Sequence, residues 1–171
     1  MMNADQLRYL QAPLKERYRQ TPEAALVTLR AQGRIGEGVS CSIETGKAMV
    51  VAGLHSATGG SGQAVCSGDM LLEALVACAG VTLNAVATAL DIVLRDATIE
   101  AQGDLDFRGT LGVDKSVPVG FQTIRLQFTL DTDASEEQLA MLLRLTQRYC
   151  VVYQTLAQPP ALSVTRKSAD A

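Results

Sequence analysis

Tryptophan is absent from the 171 residues, aromatic side chains make up only 4%, and histidine occurs once, at His55. With so few large rings the interior has to be aliphatic, and a 47% hydrophobic content supplies it and argues against disorder. The cysteines at 41, 66, 78 and 150 have no spacing of a Cys/His ligand set, so neither a structural metal nor a cofactor is expected. Basic runs are missing as well. Fifteen Lys and Arg against 18 Asp and Glu give a net charge of -3, with no general pull toward nucleic acid or an anionic membrane. Gly59-Gly60-Ser61-Gly62 lacks the Lys and Ser/Thr of a phosphate loop. The first residues are polar and charged, without the apolar core of a signal peptide, which predicts a cytoplasmic protein. In such a reducing compartment four cysteines need form no bridge.

What the sequence does have is one long apolar stretch, Asp69 to Asp91, reading DMLLEALVACAGVTLNAVATALD. Ala and Leu cost little entropy in a helix, no Pro interrupts the run, and apolar positions surround it almost completely, so burial on most sides is expected. Its length would span a bilayer, but Glu73 and Asn84 would be costly there. Around it the coarse pattern is α+β. Residues 1–20 read as an N-terminal extension with a short helix broken near Pro13. Residues 21–165 form one domain, and 166–171 are a flexible tail. Within the domain the pattern predicts strands over 25–31, 39–43 and 47–52, with a glycine turn over 33–38. A loop over 53–67 follows, and Ser67 or Asp69 is the expected helix cap. Period-two strands follow over 94–107 and 121–130, the latter with polar residues on one side only. Ser135-Glu136-Glu137-Gln138 is a capping box opening an amphipathic helix that ends at Tyr149-Cys150. Pro159-Pro160 ends regular structure, and 161–165 reads as a last edge strand. One chain supplies too few layers to cover the long helix, which predicts a homodimer.

Cys78 lies near the middle of the long helix and Cys150 on the apolar side of the later one. Packed together, the helices would bring the thiols within disulfide reach. A thiolate there would attack a peroxide oxygen, become a sulfenic acid and condense with the second thiol. The alternative is that both are packing residues, since cysteine often serves as a small hydrophobe. Cys41 falls in a strand pattern and reads as packing; Cys66 lies in the loop before the helix, with no chemistry implied by its spacing. His55 is a lone loop histidine, either in solvent or at the pocket.

Ser67–Leu83 (SGDMLLEALVACAGVTL) and Arg148–Leu156 (RYCVVYQTL), with FQTIRLQFTL and SEEQL between them, resemble the OsmC/Ohr family of osmotically induced and organic-hydroperoxide-resistance proteins. The likeness extends over nearly all of the chain after residue 20. It implies an interlocked α+β homodimer with antiparallel sheets wrapped around long central helices and sites at the subunit interface. It implies a thiol peroxidase that reduces organic hydroperoxides, with Cys78 as the peroxidatic and Cys150 as the resolving cysteine. A dithiol reductant, such as a lipoylated protein, would restore the thiols. Arg34, in Gly33-Arg34-Ile35-Gly36, matches the arginine that stabilises the thiolate; its plain reading is a solvated turn residue.

Two departures accompany the resemblance. Gly68 stands where the family has the glutamate that orients this arginine, leaving Asp69 and Glu73 as possible supports. Val151 replaces the proline common after the resolving cysteine, and Tyr153 takes the place of a histidine. The pocket is expected to be lined by the helix and by parts of the 53–67 loop. The alternative function is a binding protein on the same fold, holding a small apolar or sulfur-containing ligand at the dimer interface without turnover; inert core cysteines in a structural dimer are the third option.

Overall fold

The computed structural model describes residues 4–35, 41–43, 52–63 and 65–166. Helix α1 (Ala4–Gln20) is followed by a 3-10 turn at Pro22–Ala25 and strand β1 (Leu26–Ile35). Two short strands, β2 (Cys41–Ile43) and β3 (Ala52–Gly53), precede β4 (Val65–Cys66) and helix α2 (Ser67–Ala89). After β5 (Asp96–Asp106) come the short helix α3 (Phe107–Thr110), β6 (Thr123–Asp131), α4 (Glu136–Tyr149) and α5 (Val151–Ala157).

Four strands form one antiparallel sheet in the order β2-β1-β5-β6. Its central register pairs Val27 with Leu105 and Ile99 with Phe128. Alternation then sends Ala97, Ile99, Ala101 and Leu105 to the inner face, where all four are buried. The outer face is polar. There Arg125 pairs with Asp104, which also accepts a hydrogen bond from the Thr28 hydroxyl at 2.7 Å. These partners hold the Asp104 carboxyl below the usual carboxylate range, Arg125 contributing most. Gly103 has a specific use. A Cβ there would come within 2.4 Å of the Phe121 ring, so only glycine lets that ring lie against β5.

Helix α2 crosses the inner face, where Leu72, Leu75, Val76, Ala79 and Leu83 are sealed against the sheet and against α4 and α5. Each buried leucine contributes about 1.5–3 kcal/mol relative to exposure. On the opposite side of α2 Met70, Leu71, Ala74, Val81, Ala85 and Ala89 are exposed, with no cover among the described residues. Length and composition alone would let α2 cross a membrane, yet its broadest face is the core of this fold.

Several expectations are corrected. Pro13 does not break α1, which runs through it with the proline on its exposed side. Instead α1 docks on its own chain: Tyr18 is buried and donates to the Ala57 carbonyl at 2.7 Å, and Gln11 donates to that of Thr58 at 3.2 Å. Gly33 and Arg34 continue β1 instead of turning, because β2 and β5 pair with the strand on both sides. Neither Ser67 nor Asp69 caps α2; the cap position is Cys66, with no side-chain hydrogen bond. The strand expected over 47–52 lies outside the described residues except for Ala52, which pairs with Val65. Residues 161–166 are exposed and form no strand. The capping box is as read: Ser135 Oγ accepts from the Gln138 N–H, and Gln138 accepts from the Ser135 N–H.

Candidate active site

Helix α4 stops because Cys150 leaves helical geometry, at φ -72 and ψ 107, after its N–H has closed on the Thr146 carbonyl at 2.9 Å. The same residue starts α5. Its Sγ accepts the Tyr153 N–H at 3.5 Å, a sulfur acting as helix cap. Cys150 is only 1% exposed at this junction, and both it and Cys78 are free thiols. Cys78 is half-buried on α2, which packs on α4 and α5 at this junction, and each thiol shifts the titration of the other.

Their environments pull them apart. Burial pushes the Cys78 thiol up, but the Val152 N–H, the Cys150 thiol, the Val151 N–H and the Thr82 hydroxyl all bond to its sulfur and outweigh it, so it lies below the ordinary cysteine value. Burial raises Cys150, the Tyr153 amide offsets part of this, and the hydrogen bond with Cys78 and the charge on that sulfur raise it further, to about 11. Of the two, Cys78 is therefore the thiol that ionises first, while Cys150 keeps its proton.

The remaining predicted residues fall as follows. Arg34 is on β1, its side chain 66% exposed, and its guanidinium donates to Asp96 at 2.7 Å. The hydrogen bonds that lower Cys78 come from main-chain, hydroxyl and thiol groups instead. Glu73 and Asp69 are on α2 but five and nine positions before Cys78, about 140° and about 180° around the helix from it. Asp69 is raised by burial, with nearby His55 working against this. His55 serves the loop: its ring stacks on Phe107 at 5.0 Å and its Nδ1 accepts the Ala57 N–H at 3.1 Å. Tyr153 is at the site, through its amide on Cys150 and as a wall of the adjoining cleft. The side chain of Cys41 lies outside the described residues.

Two hollows open on the elements that carry the thiols, though neither sulfur's residue lines them. One, of about 430 Å³, lies between β6 and α5 and is walled by Leu75, Phe121, Phe128, Gln147 and Tyr153. The other, of about 450 Å³, is an open aliphatic groove between α2 and α4, with Thr82, Ala85, Leu90, Leu145 and Tyr149 on its walls. Neither takes a residue from 53–67, contrary to expectation; the Ser56–Thr58 part of that loop packs on α1 and α3 instead. Among the described residues no cluster of three His, Cys, Asp or Glu side chains would hold a metal ion.

Sequence reasoning missed Thr82 and the two valine amides. Thr82 is four positions after Cys78 and so shares its face, a signal that helical spacing carries. The amides have no side-chain signature at all.

A two-thiol site on an antiparallel sheet with a buried central helix defines an α+β dithiol protein. The chain belongs to the OsmC-like protein family, whose model matches residues 60–165. Its fold is similar to that of an OsmC-like hydroperoxide resistance protein from Jannaschia sp. CCS1 (TM-score 0.62, 16% identity, covering 86% of this chain and 97% of that one). It is also similar to an OsmC-like protein from Mycoplasma pneumoniae (TM-score 0.54, 16% identity, covering 78% and 86%). No curated protein matches the chain by sequence.

Proposed function

We propose that the chain is a cysteine-based thiol peroxidase that reduces organic hydroperoxides in the cytoplasm. The observation that carries this reading is the packing of α2, with Cys78, on the α4–α5 junction at Cys150; the first thiol is lowered and the second raised, each by groups that include the other. The Cys78 thiolate attacks the terminal oxygen of ROOH. An S–O bond forms as the O–O bond breaks, and the alkoxide leaves and takes a proton to become the alcohol. Loss of the thiolate removes the charge that raised Cys150, so the second thiol ionises more readily once the first has been oxidised. Cys150 then attacks the Cys78 sulfur, an S–S bond forms, and hydroxide leaves with the Cys150 proton as water. A dithiol reductant, such as a protein-bound lipoyl group, exchanges with the disulfide and restores both thiols.

The aliphatic groove that begins one turn after Cys78 on α2, at Val81 and Thr82, supports an apolar R group over hydrogen peroxide. The uncovered stripe of α2 supports a homodimer built on that helix, the interlocked form that the family resemblance implies. A second reading, a binding protein with little turnover, is favoured by one observation: Arg34 is committed to Asp96.

Thiol titration with cumene hydroperoxide separates the two. The peroxidase loses one thiol per chain rapidly and then forms the Cys78–Cys150 disulfide. Cys78→Ser abolishes consumption, while Cys150→Ser permits the first oxidation and blocks turnover. Full activity in Cys78→Ser would overturn the assignment, and unreactive thiols would leave the binding reading.

A further inference from the structure

Thr146 is 1% exposed, and its Oγ1 is buried with no hydrogen-bond partner. A buried hydroxyl left unpaired is costly and uncommon. Helical threonines usually avoid this by bonding the carbonyl one turn back. Here Thr88 does so to Asn84 at 2.9 Å and Thr155 to Val151 at 2.8 Å. Thr146 has no such bond to Leu142.

Its place in the packing gives the orphan a meaning. Leu142, Thr146 and Cys150 follow one another at four-residue intervals along the buried face of α4. Cys150 meets Cys78, while Leu145 and Tyr149 share a groove with Val81, Thr82, Ala85 and Leu90. Moving forward along α2 from Cys78 therefore means moving backward along α4 from Cys150, so the helices run antiparallel. That register lays Thr146 against the turn of α2 that follows Cys78, the turn whose Thr82 hydroxyl already bonds the sulfur.

We propose that the Thr146 hydroxyl is an unfilled site for the oxygen delivered to Cys78, donating to the sulfenic oxygen until Cys150 displaces it. The inference rests on the thiol-peroxidase reading. In the reduced protein the hydroxyl has nothing to bond. When Cys78 takes the terminal oxygen of ROOH and RO⁻ departs, the new S–O oxygen supplies an acceptor. When Cys150 attacks, that oxygen leaves as water and the hydroxyl is orphaned again. The cost is borne in the resting state and recovered along the reaction, a differential interaction that accelerates oxygen transfer.

The test compares Thr146→Val and Thr146→Ser in the full chain carrying Cys150→Ser, which halts the reaction at the sulfenic acid. Cys78 oxidation by tert-butyl hydroperoxide is followed by dimedone trapping, and Cys78 alkylation by iodoacetamide, which delivers no oxygen, is the control. The expected result is oxidation about tenfold slower in Thr146→Val, near-normal in Thr146→Ser, with alkylation unchanged in both. The Tm of reduced Thr146→Val should equal or exceed that of its parent. Unchanged oxidation in Thr146→Val would overturn the proposal, as would oxidation and alkylation slowing together with a fall in Tm, which marks ordinary packing. Absence of any sulfenic acid in the parent would remove the peroxidase reading and this inference with it. Normal oxidation in the parent with a silent Thr146→Val removes this inference alone.

Discussion

Cys78 and Cys150 share neighbours but meet them from opposite sides. Val152 and Val151 donate main-chain hydrogens to the first sulfur, while the second, deeper one is held by Tyr153 and by Cys78 itself. Only the thiolate alkylates, so the rate follows its population. A lowered Cys78 thiol is ionised to a greater extent at neutral pH than an ordinary cysteine. Its alkylation by iodoacetamide should therefore rise with pH through a midpoint below about 8.5, the ordinary cysteine value. Cys150, with a thiol near 11, should stay unlabelled across the same range. Stopped-flow alkylation with mass-spectrometric site assignment checks both, and a Cys78 midpoint at or above the ordinary value would contradict the hydrogen-bond account. At this scale residue type and helical position singled out the two cysteines, and the structure sets both where α2 packs on α4 and α5. Arg34 shows where that legibility stops: its position in the sequence says nothing of Asp96, 62 residues away and drawn beside it by the β1–β5 pairing.

Helix α5 is short, and everything it contributes is in its first turn. Cys150 before it is extended, at ψ 107, which suits a following proline. Proline is also well tolerated at the first helical position, where the N–H takes no part in the ladder. Val151→Pro should therefore keep the fold and delete one donor to Cys78. The expected outcome is a higher alkylation midpoint and peroxide oxidation about threefold slower, since a net hydrogen bond is worth about 0.5–1.5 kcal/mol. A midpoint identical to that of the parent would show that the Val151 amide does not matter. The end of α4 at Tyr149-Cys150 was legible, but α5 was not, because no Gly or Pro separates the two helices and only a sulfur caps the second. A sulfur cap is a weak signal beside the Ser135 capping box, whose residues announce it. The elements with strong periodicity, α2, β5, β6 and α4, were legible to within a few residues. The extended 161–166 segment was not, since alternation alone does not supply a pairing partner.

At the scale of the molecule, an apolar stripe of α2 from Met70 to Ala89 is exposed among the described residues, and half-buried Cys78 falls within its arc. A charge placed on it costs the monomer little, because the position faces solvent, but has to be desolvated in any assembly that buries it. Ala85→Glu should shift the chain from dimer to monomer in sedimentation equilibrium while its Tm, measured where the parent is also monomeric, changes little. A dimer that persists in Ala85→Glu would place the interface elsewhere. The composition foretold the aliphatic core, and the buried-all-round pattern of α2 foretold that one chain would not cover it. What it could not show is which face stays bare, because that depends on where α4 and α5 fold back.

Two of the groups that bond to Cys78 are peptide N–H groups, not side chains. Such donors have no proton to lose near neutrality, and replacing either valine by any residue except proline leaves its N–H in place. The reactive sulfur is thus insulated from drift at positions 151 and 152, and its acidity would vary with the angle between α4 and α5 more than with the chemistry of the side chains around it.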